Sequence, residues 1–144
     1  MKRILAGIAC VALSVGAFAQ GTVLFNNTEA RVGIPGGAPV FDVGGTVRLE
    51  GAAFVAQLFA GPNIDSLQPW GATPSPFRTG TGAGFWNPGA DATRIIGTVA
   101  PGAVATIDVR AWEAAGGTSF EAAKAAGAKW GESTAFTVTT GGVG

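Results

Sequence analysis

The chain has 144 residues, enough for one domain of ordinary size and not for two. Hydrophobic residues make up 47% but charged residues only 12%, and nine basic side chains balance nine acidic ones, so the positive excess that drives strong nucleic-acid binding is absent. Histidine and tyrosine are missing, which excludes histidine-based triads, histidine metal sites and the commonest general base, while 24 glycines and 8 prolines stay below the roughly 25–30% share of a disordered chain.

The chain opens with a targeting pattern. Lys2 and Arg3 form a positive start, residues 4–15 an apolar run, and Ala17-Phe18-Ala19 a small-x-small cleavage site. The apolar run is shorter than the roughly 20 residues that span a bilayer. Residues 1–19 are therefore expected to be a signal peptide cleaved between Ala19 and Gln20. The only cysteine, Cys10, lies inside that segment, and Gly7 occupies the position where a lipoprotein signal needs leucine. The mature chain is then a single domain over 20–140 without a thiol, ending in a glycine-rich tail at 141–144.

Residues 22–27, Thr-Val-Leu-Phe-Asn-Asn, are β-prone and end in turn formers, which predicts a first strand. Seven glycines and prolines within 33–45 predict a loop. Thr46-Val47-Arg48-Leu49-Glu50 alternates polar with apolar, the pattern of a strand with Val47 and Leu49 inward. Residues 54–60 are almost continuously apolar, which suits a central strand, and Gly61-Pro62-Asn63 ends it. The prolines and glycines of 68–89 leave room for at most one short edge strand around Pro76-Phe77-Arg78-Thr79. Another strand is predicted at 94–99. The clearest strand is 104–112, with Ala105, Ile107, Val109 and Ala111 toward the core and Thr106, Asp108, Arg110 and Trp112 toward water or a partner.

One helix interrupts this series near 119–127. Thr118-Ser119-Phe120-Glu121 reads as a capping box, the alanine-rich run after it favours helix, and Gly127 suits a left-handed close. Residues 133–140 form the last predicted strand, with Phe136 and Val138 inward. Six or seven short strands punctuated by turns, with one small helix, make the expected fold all-β, an antiparallel immunoglobulin-like β-sandwich.

The run Pro101-Gly102-Ala103-Val104-Ala105-Thr106-Ile107-Asp108-Val109-Arg110-Ala111-Trp112, with Lys129-Trp130-Gly131-Glu132-Ser133 and residues 136–140, resembles the last two strands of fibronectin type III-like domains. It departs from them at Ala105, where a corner tyrosine would stand. Residues 54–62, Pro76-Phe77-Arg78-Thr79-Gly80 and 101–112 together resemble the body domain of exported bacterial PEP-CTERM-type proteins. That resemblance implies export by the general secretory route and a link to exopolysaccharide production, and it carries no activity. The sorting signal of that family does not appear up to Gly144, so either the chain continues past this point or it is released.

No catalytic set is read from the sequence. The glycine-rich loop 80–84 lacks a following lysine and matches neither nucleotide-binding fingerprint. Asn63, Asp65 and Asp91 read as turn formers, because calcium needs six to eight clustered oxygens. Asp108 and Glu113 are five apart and fall on opposite faces of an extended strand. No metal and no cofactor is expected. The candidate ligand-binding residues are Trp70, Trp86, Trp112 and Arg110: two tryptophans in breaker-rich loops, and a third beside an arginine on the outward face of a strand, which suits stacking on sugars or anchoring a protein interface.

The expected protein is thus secreted and non-catalytic, with a structural or adhesive role at the cell surface or in the extracellular matrix. Its expected partners are extracellular polysaccharide, surface proteins or other copies of itself, with neither nucleic acid nor a membrane span. The alternative is a carbohydrate-binding module built on the tryptophans. N-terminal sequencing of exported protein should begin at Gln20; a chain beginning at Met1 would remove the signal-peptide reading.

Overall fold

Residues 19–142 are described by a computed structural model, without the side chain of Arg31; the expected signal peptide up to residue 18, and Val143 and Gly144, lie outside the described residues. The strands are β1 (Gly21–Leu24), β2 (Phe54–Gly61), β3 (Gln68–Pro76), β4 (Thr93–Ile96), β5 (Val104–Glu113), β6 (Trp130–Glu132), β7 (Phe136–Thr139) and β8 (Gly141–Gly142). A single helical turn, α1 (Glu29–Val32), follows β1, and α2 (Phe120–Ala125) follows β5. Pairing is antiparallel throughout. The smaller sheet has the order β4-β1-β8, and in the larger one β3-β2-β5 is flanked by β6 and β7, which share the far side of β5. The protein is an all-β antiparallel sandwich with one short inserted helix. No helix among the described residues is long and apolar enough to cross a membrane.

The central pair β2–β5 forms where the sequence is most apolar. Ala56, Leu58 and Ala60 sit opposite Ala111, Val109 and Ile107, and with Ile96 of β4, Phe25 and Trp86 they form the core between the sheets. Proline explains why β3 lies at an edge: Pro69, Pro74 and Pro76 have no N–H to donate. This strand starts at Gln68 and runs nine residues, longer than the short segment expected around 76–79, and absorbs its irregular sequence in a register shift opposite Ala56 and Leu58.

The alternation in β5 holds, but its second face does not meet water. Trp112 is 1% exposed and Asp108 is buried, because α2 folds back over that face and inserts Phe120 and Ala123 against Phe59 and Trp112. Period-2 patterning separates two faces without saying what covers each.

The predicted strand at 46–50 is reduced to one bridge, Arg48 to Phe41. A tight turn causes this: the Asp42 carboxylate accepts the N–H groups of Thr46 and Val47, and the segment pairs with the chain just before it, with one further bond from the Gly84 N–H to the Leu49 carbonyl. Leu49 is buried as expected, whereas Val47 points out and is 62% exposed.

The last predicted strand is split. β6 pairs with Arg110 to Trp112 and β7 with Val104 to Ile107, so Glu132 to Phe136 spends four steps where β5 spends three. The extra residue is a bulge, held where the Ser133 hydroxyl accepts the Val109 N–H at 3.0 Å and donates to Asp108 at 3.1 Å. After β7 the chain crosses between sheets, and Gly141 and Gly142, read as tail, pair with β1. Thr140 makes this corner: its buried hydroxyl lies 2.7 Å from the Ala100 carbonyl and 3.0 Å from that of Ala103. Gly21 lies against it, and a Cβ there would meet the Thr140 side chain at 2.7 Å.

The N-cap of α2 is Ser119, whose hydroxyl accepts the Ala122 N–H at 3.2 Å, one residue later than the box expected from Thr118. Glu121 consequently turns toward Arg110 rather than back to a cap. Gly127, at φ 73°, closes the helix as expected. Ser119→Ala should lower stability by about 1 kcal/mol and Thr118→Ala by less than about 0.5 kcal/mol in urea denaturation; the reverse order would move the cap to Thr118.

Candidate functional site

The four residues singled out by sequence are not brought together. Trp86 is 6% exposed, stacks on Phe25 at 4.6 Å and donates its ring N–H to the Phe25 carbonyl at 3.2 Å. Trp70 is half-buried and donates to the Ala60 carbonyl at 2.8 Å. Trp112 donates to the Gly117 carbonyl at 3.0 Å and lies edge-on to Phe120. Each indole thus has its polar edge satisfied within the fold, and the faces of Trp86 and Trp112 are covered. Trp130, which the sequence reading passed over, is the most exposed of the four tryptophans at 39%, with the Lys124 ammonium 4.2 Å from its ring centre.

Arg110 belongs to a structural cluster on the helix-covered face of β5. Its guanidinium centre lies 4.1 Å over the Phe59 ring, and its Nε is 2.8 Å from Asp108 and 3.5 Å from Glu132, with Glu121 3.5 Å from a terminal nitrogen. Asp108 accepts from Arg110 and from Ser133, so the buried carboxylate is fully hydrogen-bonded. This network clips β6 and α2 to the large sheet.

A different site arises from unequal strand lengths. β2 and β5 have eight and ten residues, but β1, β4 and β8 have four, four and two. At about 3.3 Å per residue, the smaller sheet covers about 13 Å of a face more than twice as long. The remainder of that apolar face is roofed by the segment between β1 and β2 and the loop that carries Trp86. Together they leave a cleft of about 740 Å³ whose floor is Leu58, Ile107, Val109 and Ala111.

The cleft opens where the chain changes sheets. β8 pairs only with Gly21 and Thr22, so on the side of β1 away from β4 no strand continues beside Val23 and Leu24. Across the gap stands β7, with Phe136 and Val138 on the inner side opposite Ile107 and Ala105. Val138 packs into the core as expected, but Phe136, at the mouth, is 47% exposed. Leu24, Phe41 and Val43 are also exposed there. The clue in the sequence is Val40-Phe41-Asp42-Val43, an apolar group inside a breaker-rich loop with no strand partner to bury it.

The roof is held by a buried amide. Asn27, 2% exposed, donates to the carbonyls of Ala38 at 2.8 Å and Gly84 at 3.0 Å and accepts the Trp86 N–H at 3.2 Å. Val40 and Gly84 then join the two roof segments by backbone bonds, Val40 N–H to Gly84 and Gly84 N–H to Leu49. Behind Phe25, buried Arg94 places its guanidinium centre 5.4 Å over that ring and donates to Ser75 and to the Asp91 carbonyl. Burial pushes its pKa below the ordinary arginine value, with the Asp91 carboxylate opposing.

Comparison with protein-family models, with curated proteins and with solved structures returned no match. Asn27→Ala should lower stability by about 2–3 kcal/mol, since it leaves the Ala38 carbonyl and the Trp86 N–H without partners and the Gly84 carbonyl with the Val40 N–H alone, and should speed hydrogen exchange at the Trp86 amide. A loss below about 0.5 kcal/mol would show that the roof does not depend on this side chain.

Proposed function

We propose that the chain is an exported, non-catalytic β-sandwich that acts at the cell surface or in the extracellular matrix by holding an apolar ligand in the cleft between its sheets. The observation that carries this reading is the cleft itself. Its volume of about 740 Å³ falls in the range of small-molecule sites, its floor is aliphatic, and large apolar side chains remain exposed around its mouth. Export and location rest on the leader pattern and on the resemblance to exported body domains. The absence of catalysis is supported by how the acidic groups near the cleft are occupied: Glu132 pairs with Arg110, and the Asp42 carboxylate accepts backbone N–H groups.

The carbohydrate-binding alternative loses support with the burial of Trp86 and Trp112, since sugar stacking needs an open indole face. An apolar trough suits hydrocarbon better than a hydroxyl-rich ring, because unpaired hydroxyls would be desolvated there.

Gly131 provides the test. It pairs with Ala111 on the cleft side of β6, and a Cβ there would have no atom within 4 Å. Gly131→Trp should therefore block the Ala111 end of the cleft without straining the fold. Nile red, a neutral apolar dye, should show saturable fluorescence enhancement with the native protein and at least fivefold weaker binding to Gly131→Trp, at an unchanged unfolding midpoint. No enhancement with the native protein, or equal binding by the variant, would remove the cleft as the site.

A further inference from the structure

We infer that the ligand is a free single-chain amphiphile with an anionic head, of the fatty-acid class, lying with its tail along β5 and its head at Lys129. This rests on the cleft reading above and adds the ligand's chemistry to it.

The shape of the cleft comes first. Val109 and Ala111, half-buried on one face of β5, continue the line of buried Ile107, so the floor carries an aliphatic row about 13 Å long, on which a hydrocarbon chain can lie. The row narrows to the smallest side chains at one end, where Ala111 faces Gly131 and nothing stands within 4 Å of the Gly131 Cβ position. The next residue in the row is Glu113, whose N–H donates to the Lys129 carbonyl at 2.9 Å. Lys129 lies two residues from Gly131 and therefore shares its face, at the end of the trough, and its side chain is exposed there.

Charge complementarity gives the head group. The other cations of the region whose side chains are described are engaged: Arg110 with three carboxylates, Arg94 with Asp91, Lys124 over Trp130, and Arg48 over Phe41 and Phe85. Of the acids nearest the trough, one is paired with a cation and two take neutral backbone donors and keep their charge. Glu132 faces Arg110, Asp42 takes the Thr46 and Val47 N–H groups at 3.3 Å each, and Glu113 accepts the backbone N–H of Lys129 at 3.4 Å. Among the described residues Lys129 makes no ion pair, so an anion at the end of the trough meets an unpaired ammonium. A cationic head would meet the same charge and be repelled, and a neutral head would gain nothing from it.

The test is calorimetric titration of the purified protein with decanoate, 1-decanol and decylammonium, each below its aggregation threshold, for the native chain and for Lys129→Gln and Lys129→Glu. Decanoate should bind at least tenfold more tightly than decylammonium. Lys129→Gln should weaken decanoate three- to tenfold and leave decanol unchanged, and Lys129→Glu should reverse the preference. Equal binding of all three by the native protein, or equal loss of decanoate and decanol in Lys129→Gln, overturns the head-group assignment while the cleft reading stands. Failure of all three to bind overturns both. Binding to phosphatidylglycerol vesicles without binding of free decanoate overturns the single-chain assignment and points to a membrane surface instead.

Discussion

A ten-residue strand laid against strands of four residues leaves half of its apolar face without a β-sheet to cover it. That inequality governs the rest of the molecule. β5 and β2 are long because their sequences alternate or run apolar without a break, and their pairing continues from Phe54 opposite Glu113 to Gly61 opposite Thr106. β1 and β4 end early because turn formers follow them closely, Asn26 and Asn27 after the first and Gly97 after the second. A loop must then do what a strand would otherwise do, and loops carry backbone groups that need partners of their own. Asn27 meets that need with one side chain, satisfying three backbone groups that no sheet reaches. The price is imperfect closure, and the cleft is the space that remains.

The crossing at Thr140 imposes the complementary constraint at the other end. A chain that leaves the large sheet as β7 and joins the small one as β8 ties the two layers together, but it also withdraws a strand from the side of Val23 and Leu24. The contact of Thr140 with Gly21 shows how close the layers come at this corner, since even a methyl group at Gly21 would collide with the threonine. The sandwich is thus tight at the Thr140 end and open toward Phe41 and Phe136. The position of the opening follows from connectivity, whereas its apolar character follows from the inner-face residues of β2 and β5.

Much of this was legible in the residues. The continuous apolar run of β2, the alternation of β5, the burial of Leu49 and the left-handed close at Gly127 are local patterns, and each is found where it was read. What escaped depends on partners distant in sequence. Val47 and Leu49 alternate like a strand, but a strand needs an edge to join, and the Asp42 turn offers only a short ribbon. Trp86 sits among glycines, which leaves open whether its ring turns out or folds back over the sandwich; it is drawn inward because Phe25, sixty-one residues earlier, supplies both a stacking surface and a carbonyl. Trp112 is on the face assigned to it, yet the helix that hides it comes later in the chain. The cleft was least legible of all, being a difference between the lengths of two sheets, and no single segment encodes a difference.

The two faces of β5 divide the work of the molecule. One carries Asp108, Arg110 and Trp112, each locked by hydrogen bonds, ion pairs or aromatic contacts to α2 and β6. The other carries Ile107, buried in the core, and Val109 and Ala111, which past the end of the small sheet line the cleft. Because alternate residues of one strand supply both faces, a change of side-chain size at Val109, Ala111 or Gly131 alters the cleft without disturbing the polar network on the other side. Stability resides in the helix-covered face and in the tight Thr140 end, and the shape of the cleft resides in a few small residues that bear little of that load. Such a separation lets one scaffold accept different apolar ligands while its fold stays constant, since the residues that select the ligand are not those that hold the sheets together.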